Sequence, residues 1–296
     1  MRMMHRTRDN VTSTRYFGFH MARGILRYSV LFVAVLSILS VAWEYWTRAY
    51  LKGFSDAILP ASSSPQEEIT SILNWMSRGP ARQEGEPADL LADRNPNDTL
   101  NYKALLRVCG SATNAFINLA DSVGLPARRL LLLNSRGSTM HVVAEVWVGD
   151  RWIVVDPAYR VILRGMDGEP LTREQLTNQV IFAHAIRGIP GYGSEYDFSE
   201  TSHLHLGRLG PVGVSLNRTL QRFDPDWDGS PMLSMLVERE SLGISFIAVS
   251  LFILLSILSV GARIYGNHRS RREARDRNLA RETTEVRSSV RIGEIL

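Results

Sequence analysis

Cys109 to Arg160 reads CGSATNAFINLADSVGLPARRLLLLNSRGSTMHVVAEVWVGDRWIVVDPAYR, and this stretch decides the fold. Ala112, Phe116, Leu119, Ala120 and Val123 recur at a spacing of three to four, which predicts an amphipathic helix starting at or just after Cys109. Gly124 closes that helix and Pro126 stands beyond it. ARRLLLLN is a short apolar strand, and HVVAEVWVGDRWIVVD reads as two more strands joined at Gly149-Asp150. A two-residue turn there pairs Val148 with Arg151 and places Val143 opposite Asp156. His141, two residues from Val143, then shares a face with Asp156 as its diagonal neighbour, within reach of an imidazole–carboxylate hydrogen bond. A three-residue turn would flip one strand and separate them. Cys109 is the one cysteine of the chain. A thiol at a helix start gains from the helix dipole and the backbone N–H groups there, which also suit an oxyanion.

Outward from this stretch, two apolar runs bound the chain. Ser241 to Ala262 holds 22 residues without a charge, enough to cross a bilayer core. Tyr28 to Trp43 is uncharged over 16 residues between Arg27 and Glu44, flanked by Tyr45 and Trp46 as interfacial anchors. An uncleaved membrane anchor is the preferred reading of this run. The competing reading is a signal peptide, with Ser40-Val41-Ala42 as the cleavage site.

Charge supports one topology. Residues 1–29 carry +5 and residues 263–296 carry +4, which leaves −5 for residues 30–262 in a chain of +4. Basic flanks outside both spans predict two cytoplasmic termini and a periplasmic or extracytoplasmic middle, in an inner (plasma) membrane protein. Because the Arg residues flank membrane spans, the basic pI does not point to nucleic acid. The arginine-rich tail is expected to be a solvated helix or disordered, with membrane lipid as a partner. Outside the cytoplasm a lone thiol is a liability unless it is used.

The predicted organisation is a cytoplasmic N-terminus (1–27), a first membrane helix (28–46), a helical connector (47–98), a catalytic-type domain (99–215), a juxtamembrane segment (216–240), a second membrane helix (241–262) and a cytoplasmic tail (263–296). Within the connector, Ser64-Pro65 opens a helix with Glu67 and Glu68 in its first turn, to end at Gly79-Pro80. ARQEGEPADLLADRNPND reads as loop. Thr172 to Gln175 matches a capping box opening a helix to about Ile186, and RGIPGYGSEYDFSE reads as loop.

The order of these motifs resembles bacterial transglutaminase-like proteins of the papain-like cysteine-enzyme superfamily. The motifs are Cys109 opening a helix, Gly124-Leu125-Pro126-Ala127-Arg128, His141, Glu145-Val146-Trp147, and Trp152 to Asp156-Pro157. Two positions depart from the family pattern: Arg107-Val108 replaces a frequent glycine before the cysteine, and Arg160 stands where many members have glycine. The resemblance implies an α+β fold, in which a helix carrying Cys packs on an antiparallel sheet carrying His and Asp. It implies Cys109 as thiolate nucleophile, His141 as base and then acid, and Asp156 as the group that orients the imidazole. Amide hydrolysis or acyl transfer would follow, on a protein, peptide or envelope polymer, without a cofactor. A catalytically retired module with envelope or polysaccharide-assembly partners is the alternative.

Weaker signals take blander readings. His203-x-His205 would share a strand face, but no further ligand cluster accompanies it. Asp224-Pro225-Asp226-Trp227-Asp228-Gly229 resembles the start of a calcium loop, yet position twelve is Met235 where a bidentate Glu is needed. No metal site is therefore predicted. His184 is read as packed or exposed on a helix, Trp147 and Trp152 as core packing, and Asn101 and Tyr102 as weak second oxyanion donors.

Overall fold

The computed structural model describes residues 6–78, 96, 100, 108–204, 210–224 and 226–293. Asn101, Tyr102, His205, Pro225, the loop at 81–98 apart from Pro96, and the predicted helix end at Gly79-Pro80 lie outside these. In chain order the elements are α1 (Arg6–Ile58), α2 (Pro65–Ser77), α3 (Cys109–Ser122), β1 (Ala127–Leu133), β2 (Thr139–Val148), β3 (Arg151–Asp156) and β4 (Val161–Ile162). There follow α4 (Arg173–Leu176), α5 (Gln179–Ala185), β5 (Thr201–Ser202), α6 (Gly210–Phe223), a 3₁₀ turn (Trp227–Gly229), α7 (Pro231–Glu238) and α8 (Glu240–Gly293). Two units emerge: Ser40–Phe246, which holds the sheet, and Met1–Leu39 with Ile247–Leu296.

α1 and α8 extend past both bounds of each predicted span, because nothing in either sequence stops a helix. Neither contains proline; α1 ends just ahead of Pro60, and α8 continues through the basic tail to Gly293. Gly24–Ile58 and Glu240–His268 are long and apolar enough to cross a membrane. Leu31, Phe32, Leu39, Ile247, Leu251 and Ile257 are exposed, as lipid-facing side chains would be. Ser37 donates its hydroxyl back to the Val33 carbonyl (2.8 Å), which satisfies it within the helix.

The sheet is antiparallel in the order β4-β3-β2-β1-β5. The two-residue turn forms as expected: Gly149 takes φ 66° and Val148 pairs with Arg151. Alternation along the strands splits the core. Ala127, Ala144, Val146, Ile153 and Val155 join Ala112, Phe116 and Leu119 of α3, Ile69 and Ile72 of α2, and Leu51 of α1. Leu130, Leu132, Val143 and Val154 pack instead with Leu163, Leu171, Phe182 and Phe198. α2 starts as its sequence requires, with a reciprocal Ser64–Glu67 capping box and Pro65 in the first turn.

Three expectations are corrected. α3 is buried on every side from Ser111 to Ala120 and not on one face alone. Its polar Thr113, Asn114 and Asn118 are internal because each finds a hydrogen-bond partner. The single helix expected from Thr172 to Ile186 is two. Thr172 caps α4, but the Asn178 side chain accepts from the Val180 and Ile181 N–H groups and starts α5 afresh. Trp147 is no core residue: it is 38% exposed, with its ring edge-on to Trp152 at 5.3 Å.

Arg160 takes φ 62°, the left-handed region that favours glycine. This gives the departure at position 160 a physical meaning. Arg160→Gly is expected to stabilise by up to about 1 kcal/mol, offset in part by the entropy glycine adds to the unfolded chain. A thermal melt of the detergent-solubilised chain should rise by a few degrees; an unchanged or lower midpoint would count against strain there.

Candidate active site

α3 brings Cys109 to the start of β2. Val108 precedes the helix in extended conformation, so the helix opens abruptly at the thiol. Thr113 on the next turn donates to the Val142 carbonyl at 3.1 Å, tying α3 to the strand that carries His141. A register shift between Leu132 and Leu133 falls opposite His141, re-aiming the strand end beside the cysteine.

His141 and Asp156, set on one face by the hairpin register, meet, and Cys109 joins them from the helix. His141 Nε2 donates to Asp156 Oδ2 at 2.7 Å. The imidazole is also hydrogen-bonded to Cys109. Since Nε2 is engaged by Asp156, the thiol contact falls to Nδ1. His141 is 1% exposed and Asp156 fully buried, whereas Cys109 is half-buried. Asp156 Oδ1 accepts from the Ala158 and Tyr159 N–H groups at 3.0 and 3.2 Å, so a turn locks the carboxylate. Burial alone would lower the His141 pKa. Hydrogen bonds to Asp156 and Cys109, with the negative charge at both, outweigh burial and raise it to about 9.

The loop at 187–200, which its composition marks only as loop, covers the histidine. Tyr196 stacks flat on His141 (4.4 Å between centroids, 4° between planes). Tyr159 and Tyr192 approach its edge at 5.7 and 6.2 Å. Burial pushes the Tyr192 phenol well up, with the charge of Asp156 and a hydrogen bond to it adding to the shift. An open cleft of about 610 Å³ borders this loop, lined by Asn134, Met140, Glu195, Asp197 and Glu200 among others. Nothing in the loop beyond its Tyr and Gly content signals contact with His141, because the partner lies some fifty residues away in sequence.

The remaining motif residues build support. Arg128 Nε donates to Glu145 Oε2 at 2.7 Å, its Nη1 to the Gly229 carbonyl at 2.7 Å, and its guanidinium lies 4.0 Å over the Trp152 ring. His203 Nε2 donates to the same Glu145 oxygen at 2.9 Å. Burial would raise the Glu145 carboxyl; the His203 hydrogen bond and the Arg128 charge outweigh it and hold the group below its usual range. His203 therefore joins Arg128 on the Glu145 carboxylate; among the described residues, which leave out His205, no cluster of three or more His, Cys, Asp or Glu is placed to hold a metal. Asp228 Oδ2 accepts from the His203 N–H at 3.1 Å, and Asp224 Oδ1 from the Asp226 N–H at 3.0 Å, so these acids brace a turn. His184 sits half-buried in the last turn of α5.

A search of curated proteins finds no match to the chain. A family model does match: residues 52–157 fit the transglutaminase-like superfamily core, with α2, α3 and strands β1 to β3 inside the match. The chain thus carries a transglutaminase-like superfamily domain, in an α+β fold with candidate membrane-spanning helices in its N- and C-terminal regions.

Proposed function

We propose that this domain is an extracytoplasmic, membrane-anchored cysteine hydrolase or acyltransferase acting on amide bonds. Cys109 is the nucleophile, His141 the proton carrier and Asp156 the group that fixes the imidazole. The observation that carries this reading is the buried imidazole held by Asp156 on Nε2 and hydrogen-bonded to Cys109. A thiolate charge that favours imidazolium is itself favoured by that imidazolium to the same extent, so the pair stores the proton on nitrogen and leaves sulfur nucleophilic.

The thiolate adds to an amide carbonyl, forming a C–S bond. Collapse of the tetrahedral adduct breaks the C–N bond, and Nδ1 of His141 delivers its proton to the departing amine. Water or a second amine then attacks the thioester. His141 takes the proton from that nucleophile, and the thiolate leaves. Backbone N–H groups at the start of α3 suit the oxyanion. The open cleft beside Met140 suits an extended protein, peptide or envelope-polymer chain. The basic segments flanking both apolar runs support cytoplasmic termini and an outer domain, with the arginines near anionic headgroups.

The test is alkylation of the full chain with iodoacetamide, followed by mass spectrometry. Cys109 is expected to be labelled at pH 6. A thiol that reacts only above pH 8 would point to a retired site serving as a binding or assembly module.

A further inference from the structure

Glu238 and Arg239 stand immediately ahead of the last apolar helix, and they are 0% and 1% exposed. Their placement follows from the corner between α7 and α8. Arg239 leaves helical geometry (φ −120°, ψ 102°), and Gly243 lets α8 approach α7: a Cβ there would lie 2.6 Å from the Leu236 carbonyl oxygen. The corner turns both charged side chains inward, onto α3.

Glu238 grips the first half of α3. Its carbonyl accepts from Asn114 Nδ2 at 2.5 Å and Asn118 Nδ2 at 3.2 Å. Its Oε2 accepts from Asn114 Nδ2 at 3.1 Å and from Arg129 Nη2 at 2.6 Å. The same Nη2 donates to the Gly110 carbonyl at 3.3 Å, one residue from the thiol. Arg239 grips the second half. Its Nε donates to Asn118 Oδ1 at 2.9 Å and its Nη2 to Asp121 Oδ2 at 2.6 Å. Its Nη1 reaches Glu44 Oε1 on α1 at 3.2 Å, and Ser241 Oγ on α8 donates to Glu44 Oε2 at 2.7 Å. All of these groups lie within Ser40–Phe246, yet Glu44, Glu238, Arg239 and Ser241 fall outside the matched core at 52–157.

Buried ion networks rarely add net stability over apolar residues of the same size, but they fix register, because any other arrangement strands a charge. The register here is that of α3, whose rotation sets where the Cys109 thiol sits against His141. Misplacement by about 1 Å is enough to cost such chemistry roughly 100-fold.

We infer that Glu238 and Arg239 are positioning residues for Cys109, and that through Glu44 and Ser241 they make the reactive geometry depend on the two apolar helices. This rests on the proposed cysteine chemistry. The experiment compares full-length wild type, Glu238→Gln, Arg239→Met and the double variant Glu44→Leu/Arg239→Met in detergent. It reads the Cys109–iodoacetamide rate at pH 6, the melting midpoint and hydrogen exchange of the first turn of α3. Both single variants are expected to lose 10-fold or more in rate. The double variant, which removes Glu44 together with Arg239 and leaves only the part-exposed Asp121 carboxylate without its partner, is expected to regain the wild-type midpoint while its thiol stays slow. Recovery of rate and midpoint together, or single variants with unchanged rate, would overturn positioning. A wild-type thiol inert at pH 6 would sink the enzyme reading instead. In that case exchange at the first turn of α3 decides the inference: faster exchange in Glu238→Gln supports it, and unchanged exchange overturns it.

Discussion

His141→Ala is expected to slow alkylation of Cys109 at pH 6 by about 100-fold, which is the ratio of a largely ionised thiol to one with an ordinary pKa. The imidazole is hydrogen-bonded to Cys109 and its pKa is raised to about 9, so at pH 6 it is fully cationic beside the sulfur. Removing it removes the counter-charge, and the rate should recover only as pH climbs past 8. Cavity formation alone would lower stability without creating that pH dependence, so the profile and not the absolute rate is the readout. Equal rates for the variant and wild type at pH 6 would show that His141 does not activate the thiol.

Asp156→Asn is expected to cut turnover of an activated ester such as p-nitrophenyl acetate by about 10³- to 10⁴-fold while the chain stays folded. The geometry forces this. Oδ1 is engaged by the Ala158 and Tyr159 N–H groups, so an asparagine keeps its oxygen there and presents its amide N–H to His141 Nε2. The ring must then accept at Nε2 and carry its proton at Nδ1, on the side of the thiol, where it can no longer take a proton. Asp156→Ala would be worse for folding, since the buried His141 Nε2–H loses its acceptor at about 1–3 kcal/mol and the half-buried Ala158 and Tyr159 N–H groups lose theirs at less. The sign of the pH effect follows from the raised His141 pKa. The imidazolium contributes its full stabilisation below pH 6.5, and that contribution is lost as pH rises through about 9. In Asp156→Asn the larger of the two charges that favour imidazolium is gone, so this alkaline loss of stability should shrink. A melt series from pH 6 to pH 10 that is the same in both proteins would refute the assignment.

The chemistry-bearing residues were legible because their geometry is local. A Gly149-Asp150 turn and alternation of period two put His141 and Asp156 on one face, and a helix ending at Gly124 put Cys109 at its start. The role of Arg128 and Glu145 was visible only as part of a motif. They are directly paired across β1 and β2, and the pair becomes meaningful once His203 arrives from β5 and Gly229 from the turn before α7. The contacts of the tyrosine loop and the interior of α3 leave no trace in the sequence pattern, for opposite reasons. Periodicity sees an apolar stripe on α3 but not the buried Asn114 and Asn118, which both reach the Glu238 carbonyl 120 or more residues away. It sees no signal at all in a Gly-rich loop.

Sequence by itself determined the two apolar helices and the meeting of His141 with Asp156, since each follows from rules acting over a few residues, and the order of its motifs implied the α+β class by resemblance. Tertiary structure decided that Tyr196 covers the histidine and that α3 is enclosed on all sides. It also decided that Glu238 and Arg239, which read in sequence as charges at a membrane boundary, are buried against the nucleophile helix. Only the fold brings their partners from Glu44, Asn118, Asp121 and Arg129 into one place, and a charge pattern carries no record of the partner that will neutralise it.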